Sequence, residues 1–491
     1  MSAAPRKALT PKEQRAIIFG LMLAMLLAAL DQTIVAPALP TIGAGLGDVN
    51  QLSWIVTAYL LSATTVTPLY GKLADIHGRR VMLNGAIFIF VLGSVLCALS
   101  PSVLLLSLSR GVQGLGGGGL IALAQTTIGD AVAPRERARY QGLIASVFAS
   151  ASIAGPLLGG FFAEHLHWSY IFWINLPLGA VAMLVMNRAL KDLPQNHHPH
   201  KLDLLGALLM LISTLGLLFA LTFGGVRYDW DSLPILTLIV VFLVFGAAFF
   251  WHLRHAAEPL LPLDVMRDRV VVHGIFAAAF GMGGFVGLVV HVPLFLEQVV
   301  GLTASQAGMA LMALMVCTPI GATISGRAMS RLHHYKRFAL IGAPFSVIGL
   351  LVLSWFGASL PLPAIEAVLA LTGLGVGTMF PITTVSVQNA VDQRHLGVAT
   401  GLLNFTRQLI SALMVATFGM IMLSVAGPAV VGGELGSTAS TFPDVANIAH
   451  GYRFVFLAAA ISMALAVLNL ILLEERPLRS STQHAAPALE V

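Results

Sequence analysis

The sequence predicts an all-α membrane protein of fourteen transmembrane helices, and three observations carry that prediction. The first is composition: of 491 residues, 57% are hydrophobic and 10% charged, with mean hydropathy +0.87. A water-soluble domain is nearer a quarter charged, and no single core surrounded by water could bury this much apolar surface, so the solvent is lipid. The second is recurrence: apolar runs lie at roughly 16–39, 51–70, 81–99, 102–127, 141–163, 170–190, 204–223, 233–253, 270–297, 303–326, 338–357, 362–383, 397–425 and 452–473. A run of about twenty residues crosses roughly 30 Å of hydrocarbon as a helix. The third is charge segregation: with a cytoplasmic N-terminus, 23 of the 27 Lys and Arg fall on the inner side. Arg227 and Arg453 fall outside, and Arg110 and Arg407 lie within helices. The positive-inside rule makes this distribution a test of the count. Both termini are therefore expected in the cytoplasm, with the chain crossing the plasma (inner) membrane many times. The pI near 9.4 reads as membrane anchoring rather than a nucleic-acid face.

Taken in order, the N-terminal segment to Arg15 is polar and basic. The first run is too long for the apolar core of a cleaved signal and has no small-residue cleavage site, so it is read as a retained helix. It contains Asp31, in Leu30-Asp31-Gln32-Thr33-Ile34-Val35, near its outer third. An acid inside a span costs roughly 2.5–3.5 kcal/mol on insertion scales, so it requires a partner or a cavity. It reads as a proton-titrating or cation-binding carboxylate, or else as an interfacial or helix-packing group. Between the second and third runs lies Gly71-Lys72-Leu73-Ala74-Asp75-Ile76-His77-Gly78-Arg79-Arg80. Ten residues form no domain, so they are expected to make a tight polar hinge. Gly71 and Gly78 would give close backbone approach and positive φ, and Asp75 would face Arg79 or Arg80. A plain anchor loop is the alternative.

Arg110, in Ser109-Arg110-Gly111-Val112-Gln113-Gly114, lies about nine residues into the fourth run, or roughly 14 Å along a helix. Asp31 lies about 22 Å up the first, so the two depths meet in the outer half of the bilayer. Arginine stays protonated, so Arg110 is a fixed positive charge that would tune Asp31, or a structural pair locking the two helices. The fifth run contains Gly155-Pro156-Leu157-Leu158-Gly159-Gly160. Aromatic residues near Trp168 and Tyr170 suit an interface belt. In the second part, His291, Phe295, Asn404 and Arg407 are candidate cavity residues, with packing as the alternative role for His291 and Arg407. Cys97 and Cys317 both sit in apolar runs, and no disulfide framework, metal cluster or nucleotide-binding loop is present in the sequence.

A repeat runs through the chain. Gly114-Leu115-Gly116-Gly117-Gly118 recurs as Gly373-Leu374-Gly375-Val376-Gly377 at an offset of 259, as do Gly142-Leu143 and Gly401-Leu402. Gly71-Lys72 matches Gly326-Arg327 at an offset of 255. The expected domains are residues 1–190 as one six-helix half, 191–256 as a linker with two inserted helices, 257–475 as the other half, and 476–491 as a cytoplasmic tail. Parallel halves around a midplane site are a transporter architecture.

The order G-x-L-A-D-x-x-G-R-R at 71–80 resembles the cytoplasmic loop signature between helices 2 and 3 of the major facilitator superfamily. L-D-x-T-I-V-x-x-A-L-P around Asp31, R-x-x-Q-G at Arg110 and I-F-x-I-N-x-P-x-G at Ile171–Gly179 resemble its fourteen-helix drug:proton antiporter family. The helix-5 segment resembles the antiporter motif, with Ala151 where its second glycine belongs. The resemblance implies a major facilitator fold and proton-coupled export of amphiphilic drugs by alternating access. It implies Asp31 and Arg110 as the proton-coupling pair, and Gly71, Asp75, Gly78, Arg79 and Arg80 as the gating loop. Gly155, Pro156, Gly159 and Gly160 would form the antiporter motif. Substrate would meet Asp31, Gln32, Tyr59, Gln113, His291, Phe295, Asn404 and Arg407. No cofactor beyond the proton, no catalytic residue, no metal and no nucleic-acid partner are expected. The partners are an amphiphilic small molecule, protons and lipid, and the protein is expected to be a monomer. Export of an endogenous metabolite, lipid or siderophore, or a non-transporting sensor of the same fold, are the alternatives.

Overall fold

The structure is a computed structural model that describes residues 11–47, 51–190, 202–225, 227–256, 258–332, 334–426 and 445–479. Residues 1–10, the start of the linker at 191–201, the segment 427–444 and most of the tail at 480–491 lie outside the described residues.

Among the described residues, fourteen long helices follow one another: α1 (Pro11–Ile34), α2 (Ser53–His77), α3 (Arg79–Ala98), α4 (Val103–Ala131), α5 (Pro134–His165), α6 (Asn175–Ala189), α7 (Leu204–Phe223), α8 (Leu233–His255), α9 (Arg269–Gln298), α10 (Ala304–Arg331), α11 (Lys336–Phe356), α12 (Leu362–Ala390), α13 (Leu396–Ala426) and α14 (Val445–Leu472). Twelve helical spans are apolar and long enough to cross a membrane on those grounds alone. The two that fall short, α2 and α4, are rich in buried Thr, Gly and Gln and carry Lys72 and Arg110, because they face protein rather than lipid.

Helix starts follow local chemistry. Ser102, Asp203 and Asp268 accept backbone N–H bonds at the starts of α4, α7 and α9, and Thr303 with Gln306 forms a capping box on α10. Pro134 opens α5 seven residues before the apolar run begins, because proline suits a first helical turn. α1 ends at Ile34, and Pro37 and Pro40 sit in the first turns of the short 3-10 turn Ala36–Ala38 and the helix Leu39–Leu46 that follow it.

The Gly71–Arg80 stretch departs from the expected hinge. Residues 71–77 form the last two turns of α2, and Gly78 alone within the stretch has a left-handed backbone (φ 86°). Helix persists because Gly71, Lys72 and Ala74 are buried against protein, so the segment does not have to unravel into water.

Contacts between helices obey the repeat. In the first half α2 packs on α4, α3 on α4 and α6, and α1 on α5 and α6. In the second half α10 packs on α12, α11 on α12 and α14, and α9 on α13 and α14, which are the equivalent pairs. Each half has its own apolar core. The shared glycines explain why the repeat is legible: a Cβ on Gly116 or Gly118 would strike the backbone at Phe90 or Ala63, and one on Gly373 or Gly377 that at Leu314 or Thr318.

The halves meet through α2 against α13 and α10 against α5, again an equivalent pair. Gly71 abuts the Gly397 carbonyl, and Gly326 abuts that of Ala138. These contacts lie at the end of the bundle that holds the α2–α3 turn, here called the basic end. They continue up to mid-depth, where Thr64 donates to Gln408 Oε1 (2.8 Å). Beyond Ser411 in α13, only Phe418 and Met422 are fully buried among the described residues. These contacts between the halves thus run from the basic end to mid-depth.

Helices α7 and α8 pack on each other, and α7 lies against α2 and α13, with Trp54 on Phe219 and Phe223 (centroids 6.1 and 5.3 Å). Asp203 ties this pair to the second half: its carboxylate accepts from Gly206 N (2.8 Å), His252 Nε2 (2.8 Å) and Leu260 N (3.1 Å). Burial opposes ionisation, but these three donors outweigh it and hold the carboxyl below the ordinary carboxylate range. A depressed folded pKa makes this contribution full at neutral pH and lost as pH falls through that value. Asp203→Ala is expected to cost about 1–2 kcal/mol at pH 7, as for a lost N-cap, and progressively less below about pH 4. Thermal melts of the purified variant at both pH values check this.

Candidate functional site

A polar cluster lies sealed inside the first half, where α1, α3, α4 and α6 converge. Asp31 Oδ2 accepts from Arg110 Nη1 (2.5 Å), and Oδ1 accepts from Gln113 Nε2 (2.7 Å) and Asn175 Nδ2 (2.9 Å). Arg110 also donates to Gln113 Oε1 (2.6 Å) and to the Ile55 carbonyl (3.1 Å). Its guanidinium lies 4.3 Å from the centroid of the Tyr59 ring. Ser94 Oγ accepts from Gln113 (2.7 Å) and Asn175 (3.2 Å). Asp31, Gln113 and Asn175 are 0% exposed and Arg110 1%, so no solvent reaches the pair in this conformation. Close approach of α3 and α4 makes room for this network, since a Cβ on Gly93 would meet Gln113 itself. One negative and one positive charge are thus held in a dry interior, each with further hydrogen bonds, the condition under which a buried pair is tolerated. Adding a proton to Asp31 would leave Arg110 without its counter-charge. That coupling is the chemistry the arrangement can perform.

A second cluster sits at the basic end. Arg79 donates to Asp75 Oδ1 (2.5 Å) within its own corner and to Asp130 Oδ2 (2.7 Å) at the end of α4. Gln393, from the second half, reaches Asp130 Oδ1 (3.4 Å). Arg135 donates to the Ser330 carbonyl across the same seam (2.8 Å). Charge pairs inside one half are thereby coupled to contacts that close the basic end.

The Major Facilitator Superfamily family model matches residues 21–204 and 198–415. This chain belongs to the major facilitator superfamily. Among curated relatives, it is 34% identical over 407 residues to "Multidrug transporter protein MdtP" of Bacillus subtilis (strain 168), covering 83% of this chain and 74% of that one. It is 34% identical to "Multidrug resistance protein 3" of the same organism, over 83% and 80% of the two chains, and 33% identical to "Efflux pump dotC" of Dothistroma septosporum, over 81% and 69%. Among solved structures, the human organic anion transporter MFSD10 (TETRAN) superposes with TM-score 0.64 at 16% identity, covering 95% of this chain and all of that one. A bacterial homologue of the iron transporter ferroportin, in an outward-facing state, gives 0.63 at 11%, over 94% and 98%. At these identities the structures bear on fold alone. The family and fold are those of transporters, and these relatives are named as a multidrug transporter, a multidrug resistance protein and an efflux pump.

In this major facilitator, the expected residues separate into groups. Asp31, Arg110, Gln113 and Tyr59 come together, but buried inside the first half rather than at the seam with the second. Gln32, next to Asp31, is exposed. Asn404 faces the other half and donates to Gln125 Oε1 (2.9 Å). Arg407 is 9% exposed and donates to Thr384 Oγ1 (2.8 Å) and, more weakly, to Thr383 Oγ1 (3.3 Å). Phe295 is 2% exposed and packs edge-on against Tyr452 and Phe456 (5.3 and 5.1 Å), within the apolar core of the second half. His291 likewise packs, on the Gly287 carbonyl (3.0 Å) and the edge of Phe418 (5.5 Å). Gly155 and Gly159 press α5 onto Thr33 and Ile34 of α1, just beyond Asp31, and Thr33 donates to the Ala151 carbonyl (2.8 Å). A Cβ on Gly160 would meet no neighbour, and α5 runs on through Pro156. Arg80 pairs with Asn187 (3.2 Å) rather than Asp75. Sequence reasoning missed Asn175, Ser94 and Asp130. Asn175 was signalled by its place in Ile174-Asn175-Leu176-Pro177, whereas Ser94 and Asp130 carry no local pattern.

Proposed function

We propose that this chain is a proton-coupled efflux transporter that exports amphiphilic drugs by alternating access. The sealed Asp31–Arg110 pair carries the reading. A purely structural helix lock needs no ionisable groups, whereas a carboxylate held against a permanent cation can be released by one proton. The relatives' names, multidrug resistance and an efflux pump among them, support the outward direction. In this reading the basic end is cytoplasmic, both termini lie there, the membrane is the plasma (inner) membrane, and the present conformation faces outward. The pair is sealed in this conformation; once an outer crevice between the halves opens as far as Asp31, protonation there frees Arg110 and loosens α1 against α4 and α6. The halves then rock, and a substrate entering from the inside favours the deprotonated state. The Asp75–Arg79–Asp130 cluster latches the cytoplasmic seam while the outer side is open. The working unit is a single chain, with the proton as its coupling ion and no other cofactor.

Proteoliposomes with an interior pH dye test this. Ethidium added under an imposed proton gradient is expected to evoke proton movement opposite to the drug. Co-movement in the same direction, or drug movement without protons, would sink the antiport reading. For the latch, Asp75→Asn is expected to slow turnover about tenfold while leaving equilibrium dye binding within twofold, since it removes one charge from a seam the substrate does not touch. Unchanged turnover would reduce the cluster to an anchor.

A further inference from the structure

Among the described residues, Arg407 is a buried cation with no acid beside it. Its guanidinium donates to two neutral hydroxyls, Thr383 and Thr384, and lies 5.8 Å from the Phe380 centroid. Its Nε has no partner. Arginine does not shed its proton, so the charge persists, and a charge at this depth calls for a counter-charge. The other buried arginines satisfy that demand. Arg110 has Asp31 and Arg79 has Asp75 and Asp130. Arg137 donates to the carbonyls of Gly129 and Val132 at the negative end of α4. Arg407 has no helix end beside it, because Thr383 and Thr384 are six or seven residues short of the end of α12.

Position adds a second argument. On α13, Asn404 bonds across to Gln125 of α4, and Gln408 accepts from Thr64 of α2. Arg407 lies between these two contacts and the bonds to α12, on the face of α13 turned toward the middle of the molecule. It stands about eleven residues, or roughly 17 Å, from the start of α13, close to the midplane of a 30 Å slab. That is the depth at which secondary transporters bind substrate. The repeat does not require the charge, since the position equivalent to Arg407 at the 259-residue offset is Phe148.

We infer that Arg407, with Thr384, forms an anion subsite on the floor of the crevice, and that the preferred substrates carry a carboxylate beside an apolar ring system. This rests on the amphiphile-efflux reading and narrows it to zwitterionic or anionic amphiphiles. The missing counter-charge is supplied by the substrate. The subsite belongs to the second half and the Asp31 pair to the first, so the two halves divide substrate charge and proton between them.

Two dyes of one scaffold test it: rhodamine 19, with a free carboxylate, and rhodamine 6G, its ethyl ester. Binding of each to the purified full chain is read by fluorescence polarisation. Arg407→Gln is expected to weaken rhodamine 19 about tenfold and rhodamine 6G less than twofold. Arg407→Lys keeps the charge and the fold and is expected to give an intermediate loss with rhodamine 19 alone. Equal weakening of both dyes makes Arg407 a structural pin and overturns the subsite, as does no weakening of either. If wild type binds neither dye, the amphiphile reading falls and the subsite with it. If wild type binds both equally and Arg407→Gln changes neither, the amphiphile reading stands without the subsite.

Discussion

Asp31→Asn is expected to abolish proton-coupled movement while the chain still folds. The two consequences have separate physical origins. Asparagine has nearly the shape of aspartate and keeps bonds within the Gln113–Asn175–Ser94 network, so packing of α1 against α4 and α6 survives. It carries no titratable charge, so Arg110 remains a cation with no opposing charge at 1% exposure. Breaking one side of a buried pair costs about 3–5 kcal/mol, most of it the penalty on the charge left behind. The variant should therefore melt lower than wild type and show no substrate-dependent pH change in proteoliposomes. The double variant Asp31→Asn/Arg110→Gln removes both charges and should regain stability without regaining proton movement. Stability and coupling then separate in one experiment. Wild-type proton movement in Asp31→Asn would remove Asp31 from the mechanism, and failure of the double variant to recover stability would show that the pair is not the energetic unit.

Gly71→Leu is expected to give the next largest effect, a loss of transport of about a hundredfold, by preventing the basic end from closing. At this crossing a side chain on α2 would meet the Gly397 backbone, which cannot swing away as a flexible side chain can. Overpacking of that kind costs up to about 3 kcal/mol, and a bias of about 3 kcal/mol against one conformation changes its population about a hundredfold. Spin labels at the exposed positions His77 and Leu332, one in each half, should report a longer distance in the variant. Gly326→Leu should reproduce the effect at the equivalent crossing. An unchanged distance with normal transport would mean that the crossing does not set the closed state.

The comparison of sequence with structure turns on which signals are local. The helix count was legible because each span is a continuous apolar run bounded by polar residues. The duplication was legible because backbone crossings demand small residues at fixed places, which is why Gly114–Gly118 and Gly373–Gly377 match. Asp31 and Arg110 stood out because ionisable residues are expensive in lipid, and their depths could be counted along two helices. Ser94 and Asn175 were not legible as partners, since a serine or asparagine in a span has many uses and only the meeting of α3 and α6 gives them one. The end of α2 was misjudged for a related reason: glycines and charges normally mark a solvent-exposed turn, but here Gly71, Lys72 and Ala74 are buried and Gly71 and Asp75 lie against Gly397 of α13, and burial by another half of the molecule leaves no mark on the local sequence. For Phe295 and His291 the sequence left binding and packing open, because an aromatic core residue and an aromatic binding residue look alike until their neighbours are known.

The paired crossings carry a further consequence. Gly71 against Gly397, and Gly326 against Ala138, join the halves through carbonyl oxygens and bare α-carbons rather than through side chains. A seam built in this way makes no demand on what the walls of the crevice are made of. Residues lining the crevice can drift in size, polarity and charge from one descendant to another while the seal stays the same. Recognition and closure are thus separable traits in this scaffold, and selection for a new cargo can proceed by altering the lining without first having to re-evolve the machine that moves it.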